Sequence, residues 1–158
     1  MNIDLKSNDP EYYRRVLGGD METVKSFISL ASEKCWTEVT TLVVPGDNDN
    51  PDDIRETAKW ISNETKCGSG TPLHLSAYHP AHNYSRPATD ADELERLGEI
   101  AGEYLDFVYL GNVGRENPTR CPECGTQVIE RNGYRTVFRL KGGLCPECGS
   151  AIPGRFPE

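Results

Sequence analysis

At 158 residues, 36% hydrophobic and 27% charged, the sequence describes one globular domain, or one domain with a small appendage, and contains no apolar run long enough for a membrane span. A net charge of −8 disfavours nucleic acid as a partner, because holding phosphates needs a basic face. The opening Met1-Asn-Ile-Asp-Leu-Lys6 has an acid where a secretory signal needs apolar residues, so a reducing, cytoplasmic setting is expected for the cysteines.

Taken in order, residues 2–6 read as a short strand. Helical patterns follow over 10–17 and, after a Gly18-Gly19 break, from Asp20 as N-cap to about residue 33. In this second helix Val24, Phe27, Ile28 and Ala31 fall on one face, which predicts that they are buried together. Residues 36–44 are rich in β-branched side chains and end at Pro45-Gly46, the pattern of a strand. Pro51, with Asp52 and Asp53 behind it, starts a helix to about residue 66 whose inner face is Ile54, Ala58 and Ile61. A third strand spans 73–78, a polar loop 79–87, and a helix capped by Thr89 or Asp90 runs to 104 with Leu94, Leu97 and Ile100 inward. A fourth strand, 105–110, ends at Gly111-Asn112. The β-α-β-α-β-α-β order predicts a parallel sheet with right-handed crossovers, either half of an eight-stranded barrel or a small open sheet.

Active groups of such folds sit at the C-terminal ends of the strands. The candidates are Asp4 and Lys6; Thr40, Thr41 and the Pro45-Gly46-Asp47-Asn48-Asp49 loop; His74, Tyr78 and His79; and Gly111-Asn112. If they converge on one rim, they form a small-molecule site. Taken singly, Asp4 and Lys6 also read as an exposed edge pair, and the Asp/Asn run over 47–50 as helix-capping turn chemistry.

Past residue 117 the pattern changes. Cys121-Pro-Glu-Cys124-Gly is answered by Cys145-Pro-Glu-Cys148-Gly, with twenty residues between Cys124 and Cys145. Two such turns facing each other present four thiolates tetrahedrally to one metal, and four cysteines leave no open position for substrate. Between them, residues 127–131 and 134–139 alternate as strands about Asn132-Gly133, a hairpin signal. A structural zinc ribbon is the reading. A rubredoxin-like iron site is the alternative, and paired C-x-x-C spacing argues against disulfides. The expected division is 1–117 and 118–158.

Ile3-Asp4-Leu5-Lys6, Val43-Val44-Pro45-Gly46-Asp47-Asn48-Asp49 and Leu75-Ser76-Ala77-Tyr78-His79-Pro80 occur in this order ahead of Tyr109-Leu-Gly-Asn-Val113, the double knuckle and Ile152-Pro-Gly-Arg-Phe156. This series resembles the second half of radical SAM activating enzymes of the pyruvate formate-lyase activase type, and most closely the radical SAM proteins of the AmmeMemoRadiSam system. The resemblance covers residues 2–156. It implies a partial (β/α) barrel of about four parallel strands followed by a small zinc-ribbon hairpin domain. In that family the barrel holds S-adenosylmethionine (SAM) against a [4Fe-4S] cluster, and reductive cleavage of SAM yields a 5′-deoxyadenosyl radical. Asp4 and Lys6 match the Asp-x-Lys strand lining the methionyl end of SAM, Lys6 toward the carboxylate and Asp4 toward the amino group or a bound cation. His79 matches a histidine that contacts SAM, and Val43 and Pro45 match a strand and loop near the ligand.

The sequence departs from the family at one place. The Cys-x3-Cys-x2-Cys motif that binds the cluster is missing, as is the glycine-rich segment after it; Cys35 and Cys67 stand alone. The expectation is therefore a chain inactive by itself, completed by a missing N-terminal half or by self-association, with a [4Fe-4S] cluster only if that half supplies it. A half-barrel is expected to leave a sheet edge and its interior uncovered. Two other readings are a non-catalytic zinc-ribbon interaction module on a vestigial α/β scaffold, and a rubredoxin-like electron carrier.

Overall fold

The structure, a computed structural model, describes residues 1–81, 83–132 and 135–156, the side chain of Asn132 excepted. It divides into two compact units, Met1–Val113 and Gly114–Glu158. Among the described residues no helix is long and apolar enough to cross a membrane.

The first unit is an α/β layer. Strands β1 (Asn2–Asp4), β2 (Glu38–Val43), β3 (Leu73–Ala77) and β4 (Val108–Gly111) form a parallel sheet in the order 1-2-3-4. Helix α1 (Pro10–Tyr12) runs on into a π-helical turn, Tyr13–Leu17. Then come α2 (Met21–Lys34), α3 (Pro51–Glu64) and α4 (Ala91–Gly102). Each helix begins as its sequence dictates. Asp20 accepts from the Thr23 N–H, Asn50 from Asp52, and Asp90 from Asp92 and Glu93, so each satisfies N–H groups that have no partner within the helix. Pro51 occupies the first helical position, where its missing N–H costs nothing.

Strand alternation decides the faces. Val39, Thr41 and Val43 of β2 and Leu73, Leu75 and Ala77 of β3 are buried on one side, joined there by Val108 and Leu110 of β4. Against them pack Ile28 of α2, Ile54, Ala58 and Ile61 of α3, and Leu94, Leu97 and Ala101 of α4, in one continuous cluster. A fully buried Leu or Ile contributes about 1.5–3 kcal/mol, so this cluster fixes the register of every strand. Neighbouring helices are tied at the surface. Lys25 lies 5.2 Å over the Trp60 ring, Lys59 lies 5.4 Å over Tyr104, and Ser32 accepts from the Lys66 N–H.

The opposite face is not covered by these helices. It carries Asn2 and Asp4, Glu38, Thr40 and Leu42, His74 and Ser76, and Tyr109 and Gly111, none of them fully buried. A barrel core is filled by bulky aliphatic side chains; here Leu42 is the one large aliphatic among these residues, so the face is polar and unlike a filled barrel core. At Gly111 a Cβ would stand 2.5 Å from Ser76 Oγ on the paired strand, so any larger residue there would force the Ser76 hydroxyl to turn aside.

In the second unit β5 (Thr119–Arg120), β6 (Gln127–Asn132) and β7 (Arg135–Phe138) form an antiparallel sheet in that order. The two strands read from the sequence are present, while Gly133 of the Asn132-Gly133 turn lies outside the described residues. Phe27 departs from the sequence reading. It is 50% exposed rather than buried with Ile28, because among the described residues nothing covers the flank of α2 away from α3.

Candidate ligand rim and metal centre

The rim is built on Asn48. This side chain, only 2% exposed, accepts from the Val44 N–H at 2.7 Å and donates to Leu42 O at 2.9 Å and to Lys6 O. One amide thus clamps the C-terminal ends of β1 and β2 together. Lys6 is also held through its N–H, which donates to Tyr13 Oη at 2.9 Å. Its ammonium then meets Asp4 at 2.9 Å, with the Asp4 side chain 58% exposed and Lys6 29%. An accessible carboxylate and ammonium side by side match the two charges of an α-amino acid group.

His79 follows β3 at the same end of the sheet. Its Nε2 lies 3.1 Å from the Asn112 carbonyl, which can only accept, so that nitrogen carries the proton. Asn112 adopts a positive φ of 63° and donates from its side chain to Ala77 O, fixing the turn that places this carbonyl.

The Asp47 loop has a separate role. Its carboxylate, 5% exposed, accepts from Arg86 and from the Tyr84 hydroxyl, while Tyr78 donates its hydroxyl to Tyr84 O. This latch joins the loop after β2 to the loop after β3. Tyr12 stands beside it; burial first, then Tyr84 and Asp47, push its hydroxyl up to about 12, so it remains a neutral donor. Asp49 accepts from the Gly46 N–H, and Asn50 caps α3.

Three of the residues expected on the rim lie elsewhere. Thr41 points into the core and donates to Leu5 O at 2.6 Å. Tyr78 is buried beneath the latch. His74 is the second residue of β3, well below the rim, where its Nε2–H donates to Glu38 Oε2 at 2.8 Å and its ring tilts against Tyr109 at 5.2 Å. That bond is the main cause holding the Glu38 carboxyl below the usual carboxylate range, with a donor hydrogen bond from Trp36 adding to it. Thr89, one of two candidate caps for α4, is instead buried, donating to Val43 O and accepting from the Tyr78 N–H.

In the second unit Cys121, Cys124, Cys145 and Cys148 bring their sulfurs within 4.8 Å of one another. Cys121–Cys148 is 3.5 Å and Cys124–Cys145 3.7 Å, far beyond the roughly 2.05 Å of a disulfide. A tetrahedron of sulfurs about 2.3 Å from a central zinc has edges of about 3.8 Å, so the four thiols fit one metal. Backbone builds both knuckles alike: Gly125 N–H bonds to Cys121 O and Gly149 N–H to Cys145 O, each glycine at positive φ. The thiols differ in acidity. Burial pushes Cys121 up to about 11, whereas the Ser150 hydroxyl and N–H bring Cys148 down to about 6. At neutral pH a metal must displace the Cys121 proton. Metal affinity should therefore tighten as pH rises above 6 and fall further below 6, where Cys148 is protonated too. Competition with a chromophoric chelator across that range checks this, and an affinity independent of pH would contradict it.

No family model matches the chain. An uncharacterized protein of Methanocaldococcus jannaschii is 40% identical over 160 residues, a match spanning 96% of this chain and 47% of that protein. The chain thus spans about half the length of the curated relative it matches. A domain of pyruvate-formate lyase-activating enzyme from Bacteroides vulgatus superposes with a TM-score of 0.59 at 17% identity, over 70% of this chain and 66% of that one. A radical SAM methyltransferase from Sphaerobacter thermophilus gives 0.47 at 13% identity, over 70% and 33%. The chain has an α/β fold like that of the Bacteroides activating-enzyme domain, and it carries a four-cysteine cluster. The likeness to pyruvate formate-lyase activases that the sequence motifs imply holds at the level of the fold.

Proposed function

We propose that this chain is the SAM-holding portion of a radical SAM enzyme of the activating type, ending in a structural zinc ribbon. The observation that carries the reading is the Asp4–Lys6 pair, 2.9 Å apart at the C-terminal end of β1 and braced by Asn48, with His79 beyond the same end of β3. The α-amino and carboxylate groups of SAM complement Asp4 and Lys6, and the uncovered polar face below leaves room for a substrate.

The chain's own residues do not fit a [4Fe-4S] cluster. The four cysteines of the ribbon are committed together, and Cys35 and Cys67 belong to no metal-ligating group among the described residues. Radical generation is thus assigned to the assembled protein, with the cluster held by another segment, and this chain contributes ligand binding.

Calorimetric titration of the metal-loaded chain with SAM tests the reading. Saturation below millimolar SAM is expected, weakened at least tenfold, about 1.4 kcal/mol, by Lys6→Met and by Asp4→Asn. No heat at millimolar SAM would favour the non-catalytic ribbon module instead. Metal analysis of the same sample distinguishes colourless zinc protein from the red iron-loaded protein of an electron carrier.

A further inference from the structure

The two sides of the first unit are finished differently. Beside β4, the outer surface of α4 presents Asp92, Glu95, Arg96 and Glu99, a charged surface suited to water. On the β1 side, α2 exposes two large apolar side chains, Phe27 and Leu30, with Ser26 and Glu33 exposed beside them. Among the described residues of this unit the exposed large hydrophobic side chains are Met1, Val16, Leu17, Phe27, Leu30 and Tyr84; Val16 stands near Gly46, Asp47 and Arg86, while Phe27 and Leu30 stand together on α2.

The direction of this patch follows from helix geometry. Lys25 and Ser32 mark the flank of α2 that meets α3, through the Trp60 ring and the Lys66 N–H. At about 100° per residue, Phe27 and Leu30 stand roughly 140–200° round the helix from those two. They are 50% and 60% exposed, on the flank facing away from α3. The strand layer stops on the same side: among the described residues β1 pairs with β2 alone, leaving its other edge of N–H and C=O groups without a sheet partner. An open strand edge below an open apolar helix flank is the surface that the next strand and helix of a β/α layer would cover.

We infer that the β1 edge and the α2 flank at Phe27 and Leu30 form an interface for one further strand–helix unit, its strand on β1 and its helix on Phe27 and Leu30. The occupant is the part of the protein that the Methanocaldococcus relative carries outside the matched half, since the match takes up only 47% of that relative. A second copy of this chain fits the surface less well. Two copies joined at β1 about a two-fold axis would run their edge strands antiparallel and turn their rims in opposite directions. The interface stands on this surface alone and does not require the rim to bind SAM.

The test is to co-express the chain with the tagged remaining half of the Methanocaldococcus relative, purify through the tag, and weigh the product by light scattering. A 1:1 complex is expected. Phe27→Asp with Leu30→Asp should lower its recovery at least tenfold, while Glu95→Ala with Glu99→Ala on the α4 side leaves it unchanged. Both paired variants replace exposed side chains, and circular dichroism of each chain alone confirms its fold. Failure of the wild-type chain to co-purify overturns the inference, as does a complex indifferent to the Phe27 and Leu30 changes. A homodimer that those changes disperse assigns the surface to a second copy instead.

Discussion

Stripping the metal from the four-cysteine centre, or replacing Cys145 by Ser, unfolds Gly114–Glu158 and leaves Met1–Val113 folded. The second unit has little else to hold it. Beyond Cys121 and Cys145, its buried apolar side chains among the described residues are Val128, Ile129 and Ile152. So small a core does not offset the chain entropy of ordering the unit. The two knuckles are joined through sulfur, and a structural zinc adds an apparent 10–16 kcal/mol, roughly, in small domains of this kind. Cys145 is 2% exposed, so serine there removes a ligand and leaves a hydroxyl in its buried place. The first unit has its own cluster around Leu75, Ile54 and Leu97 and shares none of this dependence. In a 15N–1H correlation spectrum, adding a strong chelator should collapse resonances from 114–156 into the unfolded range and leave those of Leu73–Ala77 in place. A ribbon that keeps its dispersed resonances without metal would show that β6 and β7 are held by packing instead.

The sequence made the layer order readable because every buried helix has a periodic apolar face and every core strand an alternating one. Ile54, Ala58 and Ile61 lie on the inner face of α3 as their spacing requires, and the two knuckles announce their metal geometry. What periodicity does not encode is which flank of an element has a neighbour. Phe27 carries the same signal as Ile28, yet one is half exposed and the other buried, because among the described residues only the Ile28 side of α2 packs into the core. The rim was legible in outline and less so in detail. Thr41 and His74 are strand residues whose face depends on a register that residue type alone does not reveal; one entered the core and the other paired with Glu38. The Asp47–Asn50 run reads as turn chemistry. Its four polar residues nevertheless do four jobs: a latch to Tyr84 and Arg86, a brace, a turn contact to Gly46, and a cap. The one cue available was that a helix start needs only one cap, so a run of four leaves residues to be accounted for.

Of those four, Asn48 should matter most to stability. Asn48→Ala is expected to cost about 2–4 kcal/mol, read from urea denaturation of the first unit, because it strips partners from Lys6 O, Leu42 O and the Val44 N–H in a region closed to water. Asn48→Asp separates donor from acceptor. The carboxylate can still accept from Val44 N–H, but it would bring negative charge against the two carbonyl oxygens that the amide now serves. It should therefore be at least as damaging as alanine despite its matching shape. Asp49→Ala, which loses one exposed bond to Gly46 N–H, is expected to cost less than about 1 kcal/mol. The same series bears on the ligand rim, since Asn48 holds the backbone from which the Lys6 ammonium reaches Asp4. If Asn48→Asp lowered stability but left SAM affinity untouched, Lys6 would be positioned by Tyr13 and the sheet alone. If both fall together, the amide at Asn48 is what couples the fold of the β2 loop to the Asp4–Lys6 pair proposed to receive SAM.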